Sequence, residues 1–165
     1  MLRNVIVTLC FLVFSSTMAL AQSAGATSSA EVYRVTPTSM AIISDQTSIL
    51  IDPVGPQSQY SQFGRPDIVV LTRADPEFLS IQTMIGMLRR DTVVLAPQAV
   101  IDELPLMISN NVITPFEIGG TQQVDGISFT ALEMDEANPS VAQTVERRRG
   151  DMGVLIEVDG RRLLF

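Results

Sequence analysis

Apolar residues in this chain fall into short runs between polar breaks marked by proline and glycine, and that rhythm predicts its elements. Residues 32–35, 40–43 and 48–51 read as strands, with Pro37 in the first connection and Asp45-Gln46 as the second turn. Asp52-Pro53-Val54-Gly55-Pro56 ends the third strand, and residues 57–66 read as a polar loop. Residues 67–71 end in Val69-Val70-Leu71, an apolar run of the kind that sits in a sheet core.

A helix is expected next. Asp75 is the predicted N-cap, and Pro76 suits the first helical position, where a missing N–H costs nothing. Phe78, Ile81, Ile85 and Leu88 fall at helical spacing beside Met84, and Arg89-Arg90 would close the last turn. Residues 92–95 read as a strand. Residues 97–104 read as one or two helical turns, with Val100 and Leu104 on one face and Pro105 ending or kinking them. Short strands follow at 112–113, 122–124 and 127–132, with Asp125-Gly126 as a hairpin turn. Residues 133–150 read as a polar loop. Residues 154–158 and 161–165 form a last hairpin around Asp159-Gly160.

Strands, then β-α-β-α, then strands predict an α/β or α+β layered fold with helices on one face of a mixed sheet. Thr72, Arg73, Asp75 and Glu77 then sit at the C-terminal end of a strand, where such folds place their chemistry.

The first residues change the picture of where the fold begins. Arg3 supplies a positive start, residues 5–14 are apolar, and Ala19-Leu20-Ala21 is a cleavage signal before Gln22. We read residues 1–21 as a secretory signal peptide, 22–30 as a flexible tail and 31–165 as a single domain. The apolar stretch is too short to remain as a membrane anchor, so the mature chain is expected in the periplasm, off the membrane. Cutting away Arg3 takes the net charge of −7 one unit lower, to −8. Such a surface does not suit nucleic acid.

Composition also limits the chemistry. The chain has no histidine and one cysteine, Cys10, which lies within the signal peptide. Nucleophilic Ser-His or Cys-His pairs are therefore excluded. Zinc sites draw on imidazole and thiolate, so a tight zinc site is not expected and no cofactor is assigned. A weak magnesium or calcium site built from Asp and Glu stays open.

Arg73, Asp75 and Glu77 are the leading candidates to bind an anion or a weak hard cation, with Asp52 near them. The plainer reading makes Asp75 a helix cap, Glu77 a first-turn acid and Arg73 the partner of one of them. For Asp52 it is an Asx-turn. Glu133, Asp135 and Glu136 lack the spacing of a calcium loop. Arg147-Arg148-Arg149 could grip a phosphate or carboxylate, or simply be solvated. Met84, Met87 and Met107 read as packing residues.

Several segments, in the same order, resemble the metallo-β-lactamase fold superfamily, and within it the branch related to L-ascorbate-6-phosphate lactonase. Ile49-Leu50-Ile51-Asp52-Pro53 resembles a strand of that branch. The stretch from Phe63 to Thr72 resembles the lead-in to its metal motif, and Thr92-Val93-Val94-Leu95-Ala96-Pro97 the strand after the first helix. Residues 150–165 resemble its hairpin. The family motif is T-H-x-H-x-D-H-L. Thr72 and Leu79 match its ends, Arg73 and Asp75 stand at the first two histidine places, Glu77 at the aspartate and Phe78 at the last histidine. The histidine of the first hairpin falls near Thr38, and the later one, within residues 133–150, has no counterpart.

The resemblance thus implies an incomplete αββα sandwich whose metal ligands are lost. The segment carrying the bridging aspartate would follow Phe165. It implies the fold and argues against metal-activated hydrolysis. The expected function is non-catalytic binding or interaction. Two alternatives remain: a hydrolase of lactone or phosphoester bonds using carboxylates, magnesium or calcium, and a shortened product without function. An uncovered face at Leu163-Leu164-Phe165 would bring association, with a second copy or another protein, through the C-terminal strand.

Overall fold

The computed structural model describes residues 29–44, 47–108, 112–133 and 152–165. Two sheets lie face to face. The first has six strands in the order β1 (Glu31–Arg34), β2 (Met40–Ser44), β3 (Thr47–Ile51), β4 (Ile68–Val70), β5 (Val93–Ala96) and β6 (Val112–Pro115). β1, β2 and β3 pair antiparallel, and β3 through β6 pair parallel. The second is antiparallel, built from β7 (Thr121–Val124), β8 (Ile127–Glu133), β9 (Met152–Val158) and β10 (Arg161–Leu164), in the order β10-β9-β8-β7. The expected mixed sheet with helices on one face is what the chain forms.

The residue pattern explains the layers. Parallel strands need crossover connections, and those that share a hand lie on one face. Here the crossovers are a 3-10 helix (Gln57–Phe63), α1 (Ile81–Met87) and α2 (Gln98–Ile101). Tyr60, Met84, Met87 and Val100 from these pack on Leu50, Val69, Val94 and Ala96 of the sheet. The opposite face of the same strands carries Ile49, Ile51, Ile68, Val70 and Leu95, packed against Phe129, Ala131, Val154 and Ile156 of the second sheet. Strands covered on both faces read as unbroken apolar runs, as Val69-Val70-Leu71 does. β8 is covered on one face only, so it alternates: Ile127, Phe129 and Ala131 are buried while Ser128, Thr130 and Leu132 are not.

Both Asp-Gly turns form as expected. Asp125 and Gly126 have φ of 50° and 80°, and Asp159 and Gly160 have 49° and 72°, the left-handed pair that a two-residue hairpin of this hand requires.

The helices depart from the sequence reading. The helix begins at Ile81, not Pro76, and its N-cap is Ser80, whose Oγ accepts from the Thr83 N–H at 3.3 Å. Asp75 instead closes one isolated turn, its carbonyl accepting from the N–H groups of Phe78 and Leu79, both at 2.8 Å. Two tertiary contacts are made at that turn. Thr38 Oγ1 donates to the Glu77 carbonyl (2.7 Å), and Phe78 lies beneath Arg73. The buried face of α1 is therefore Thr83, Met84 and Met87, and Ile85 is 48% exposed. Arg89 lies beyond the helix end, where it pairs with Asp67 and Asp91.

Three smaller corrections follow. The expected polar loop at 57–66 holds the 3-10 helix, because Tyr60 is buried and its hydroxyl bonds both polar groups of the Val54 backbone. α2 ends at Ile101, before Pro105, and Met107 is 60% exposed and not a packing residue. Asp45-Gln46, residues 1–28 and 134–151, including Arg147-Arg148-Arg149, lie outside the described residues. Ala30, inside the expected tail, is buried between the sheets, and its carbonyl accepts from Arg161.

Candidate functional site

The C-terminal ends of β3 and β4 meet at Asp52 and Thr72. The Asp52 N–H donates to the Val70 carbonyl (2.9 Å), so the chain leaves β3 beside the end of β4. Asp52 then adopts a φ of 44°, a left-handed conformation that Asp tolerates better than most residues. That turn points its carboxyl back under the sheet end. Oδ1 accepts from the Thr72 N–H at 2.7 Å and Oδ2 from the Thr72 hydroxyl at 2.6 Å. The Asp52 carbonyl accepts from Ser39 Oγ at 2.6 Å, and Ser39 Oγ accepts from the Val54 N–H at 3.1 Å. The Thr72 carbonyl accepts from the Met152 N–H at 3.3 Å, which ties the first sheet to the start of β9.

Asp52 is 3% exposed. Burial disfavours the charged form and raises its pKa from 3.8 to about 7, against the two Thr72 hydrogen bonds and the Arg73 charge, which lower it. The carboxyl therefore holds a proton well above the usual carboxylate range.

Above this corner opens a cleft of about 410 Å³. Arg34 from the end of β1, Thr38 from the β1–β2 connection, and Arg73 and Phe78 from the connection after β4 form part of its wall. Met40, Met152, Leu164 and Phe165 add apolar surface. The Arg73 guanidinium carbon lies 4.3 Å from the centre of the Phe78 ring, a stacked cation–π contact.

Of the four residues singled out from sequence, Arg73 and Asp52 line this cleft, and Asp75 and Glu77 do not. Glu77 is exposed, and its main-chain carbonyl is what the fold uses. The sequence reading missed Arg34, Met40 and Met152. For Arg34 and Met40 there was a signal: a hairpin whose turn falls near Thr38 brings positions 34 and 40 to the end where Asp52 sits.

The fold superfamily suggested by the resemblance implies a metal, so the donor set matters. Among the described residues no three carboxylate, imidazole or thiolate side chains come together to hold a metal ion. An arginine stacked on a phenylalanine and a carboxyl with both oxygens engaged do not fit one. Among the described residues, too, no helix is long and apolar enough to cross a membrane.

No protein-family model and no curated sequence matches this chain. Solved structures do. A proposed metal-dependent hydrolase from Parabacteroides distasonis is similar with a TM-score of 0.64 at 18% identity, over 83% of this chain and 64% of its own. The metallo hydrolase Igni18 from the hyperthermophilic archaeon Ignicoccus hospitalis is similar with a TM-score of 0.59 at 16% identity, over 81% of this chain and 58% of its own. A Cronobacter sakazakii metallo-β-lactamase with a HARLDQ motif is similar with a TM-score of 0.53 at 14% identity, over 81% of this chain and 57% of its own. The chain thus spans less than two thirds of the length of each. At these identities the likeness is one of fold: these three neighbours are metallo-hydrolases of the metallo-β-lactamase fold, and the described residues share that architecture.

Proposed function

We propose that this chain is an exported, metal-independent binding or interaction domain on a metallo-β-lactamase-like scaffold, derived from the lactonase-like branch. The observation that carries this reading is the content of the cleft. It offers two arginines, apolar walls and one enclosed carboxyl, in a fold whose neighbours are metallo-hydrolases. Export rests on the pattern of residues 1–21. Association through β10 belongs to the same reading: β10 is an edge of its sheet, and Leu164 is 69% exposed.

One observation favours a hydrolase instead. A carboxyl with a pKa of about 7 is tuned to the range a general base needs. Yet Asp52 is 3% exposed and each of its oxygens is held by Thr72, so a substrate would reach the carboxyl fully only if the corner opened.

Metal analysis of the purified protein, together with assays on a lactone and a phosphodiester, separates the two. The binding reading expects no stoichiometric metal and no turnover. Stoichiometric bound metal, or turnover that Asp52→Asn abolishes, would overturn it.

A further inference from the structure

We propose that the cleft takes a small apolar molecule through a neutral acceptor oxygen, such as a ketone or amide carbonyl, which the Thr72 hydroxyl meets as donor while Asp52 is protonated. This rests on the binding reading and specifies the ligand class. Three observations carry it.

The first is the pairing at the base of the cleft, which Asp52 and Thr72 both line. Asp52 Oδ1 lies 2.7 Å from the Thr72 nitrogen, and Oδ2 lies 2.6 Å from Thr72 Oγ1. The N–H can only donate, so Oδ1 is an acceptor in either state. The hydroxyl can turn. With the carboxyl ionised, Thr72 donates to Oδ2 and presents only lone pairs elsewhere. With a proton on Oδ2, the carboxyl donates to Oγ1, and the Thr72 hydrogen is released. Thr72 Oγ1 has no other partner among the described residues. Thr72 is 5% exposed, and a donor left unmatched there is costly, so an acceptor oxygen arriving in the cleft would answer it.

The second is which group sets the state. Among the described residues, the other charged groups lining the cleft are Arg34 at the end of β1 and Arg73 after β4, and an arginine keeps its charge at every working pH. The β1–β2 connection, β2, β9 and β10 bring Thr38, Met40, Met152 and Leu164, which do not titrate. Tyr60 of the 3-10 helix, bonded to Val54, is pushed by burial above its ordinary 10.0. Asp52, which burial holds protonated up to about 7, is therefore the group that turns the hydroxyl.

The third is the lining. Met40, Ile51, Phe78, Met152 and Leu164 give the cleft an apolar wall, and about 410 Å³ is of the size that takes small molecules. A molecule with a hydrocarbon or aromatic body and one carbonyl covers that wall and matches that donor.

The test is NMR titration of the purified full chain at pH 5 and pH 8.5 with acetophenone and with α-methylstyrene, which has the same shape and a methylene in place of the carbonyl oxygen. Acetophenone should bind about 10-fold more tightly at pH 5 than at pH 8.5. α-Methylstyrene should bind equally at both. The amide N–H of Asp52→Asn donates to Oγ1 at every pH, so this variant should keep the tighter acetophenone binding at pH 8.5. Thr72→Val should bind acetophenone weakly at both, and Asp52→Asn tests the idea even if Thr72→Val folds poorly. Equal acetophenone affinity at the two pH values would overturn the proposal and leave the binding reading standing. A wild-type pH dependence in Asp52→Asn, or the same dependence for α-methylstyrene, would overturn it as well. If neither probe binds, the proposal fails and the small-ligand form of the binding reading fails with it.

Discussion

Asp52 and Glu77 carry the same chemical group at the same end of the six-stranded sheet, one following β3 and the other in the connection after β4. The fold treats them differently. Asp52 is enclosed, bonded twice to Thr72 and shifted to a pKa of about 7. Glu77 is exposed, and only its main chain is used, as acceptor for Thr38. The sequence pattern put Glu77 among the leading site candidates and Asp52 near them, with a helix-start acid and an Asx-turn as their plainer roles. A carboxylate's chemistry follows from how much water it keeps and which donors reach it, and neither is a property of the residue type.

The sharpest way to break this comparison is to remove each carboxylate. At pH 5, Asp52→Ala strands two buried Thr72 donors and leaves a small void, which should destabilise the fold by about 4 kcal/mol in urea unfolding. A loss under about 1 kcal/mol would mean that the corner is not the clamp described here.

Proton linkage comes next in size. The folded protein keeps the Asp52 proton at pH values where the unfolded chain, with a pKa near 3.8, has released it. Between those values each rise in pH favours unfolding, and once the folded form is also ionised, above about pH 7, the dependence ends. Asp52 should therefore make the protein less stable at pH 8 than at pH 5, by on the order of 3 kcal/mol. Asn suits the left-handed backbone and can still accept from the Thr72 N–H. Asp52→Asn should flatten this part of the pH profile and raise stability at pH 8. An unchanged slope in Asp52→Asn would assign the titration to another group.

Smaller effects are expected in the connection after β4. Ser80→Ala should destabilise by about 1 kcal/mol through loss of the observed cap, and Asp75→Ala by less, because Asp75 does not cap a helix. Reversal of that order would restore the helix start expected from sequence. Glu77→Ala should change stability by no more than about 0.5 kcal/mol, since its side chain is exposed and its carbonyl contact survives.

Much of the sheet could be read in advance. Ile49-Leu50-Ile51 and Val69-Val70-Leu71 announce strands covered on both faces, and the Asp-Gly pairs at 125 and 159 announce hairpins. These signals are local, and tertiary structure had no reason to contradict them. The helices were harder. Asp75-Pro76 and Ser80 are both respectable starts, and the stretch between them is engaged by Thr38, 39 residues before Glu77, which no local pattern announces. The cleft was harder still, because Arg34, Asp52, Arg73 and Met152 come from four separate places along the chain.

The sequence by itself determined the donor chemistry, the strands and the hairpin turns. A chain without histidine cannot place imidazole on a metal, and a two-residue turn depends on the residues that make it. Only the tertiary structure decided which rim carboxylate is enclosed, where the first crossover helix starts and that Arg34 shares a cleft with Arg73. Those outcomes depend on desolvation and on hydrogen bonds between residues 20 or more positions apart, such as the Asp52–Thr72 pair, and come into being only when the sheets pack.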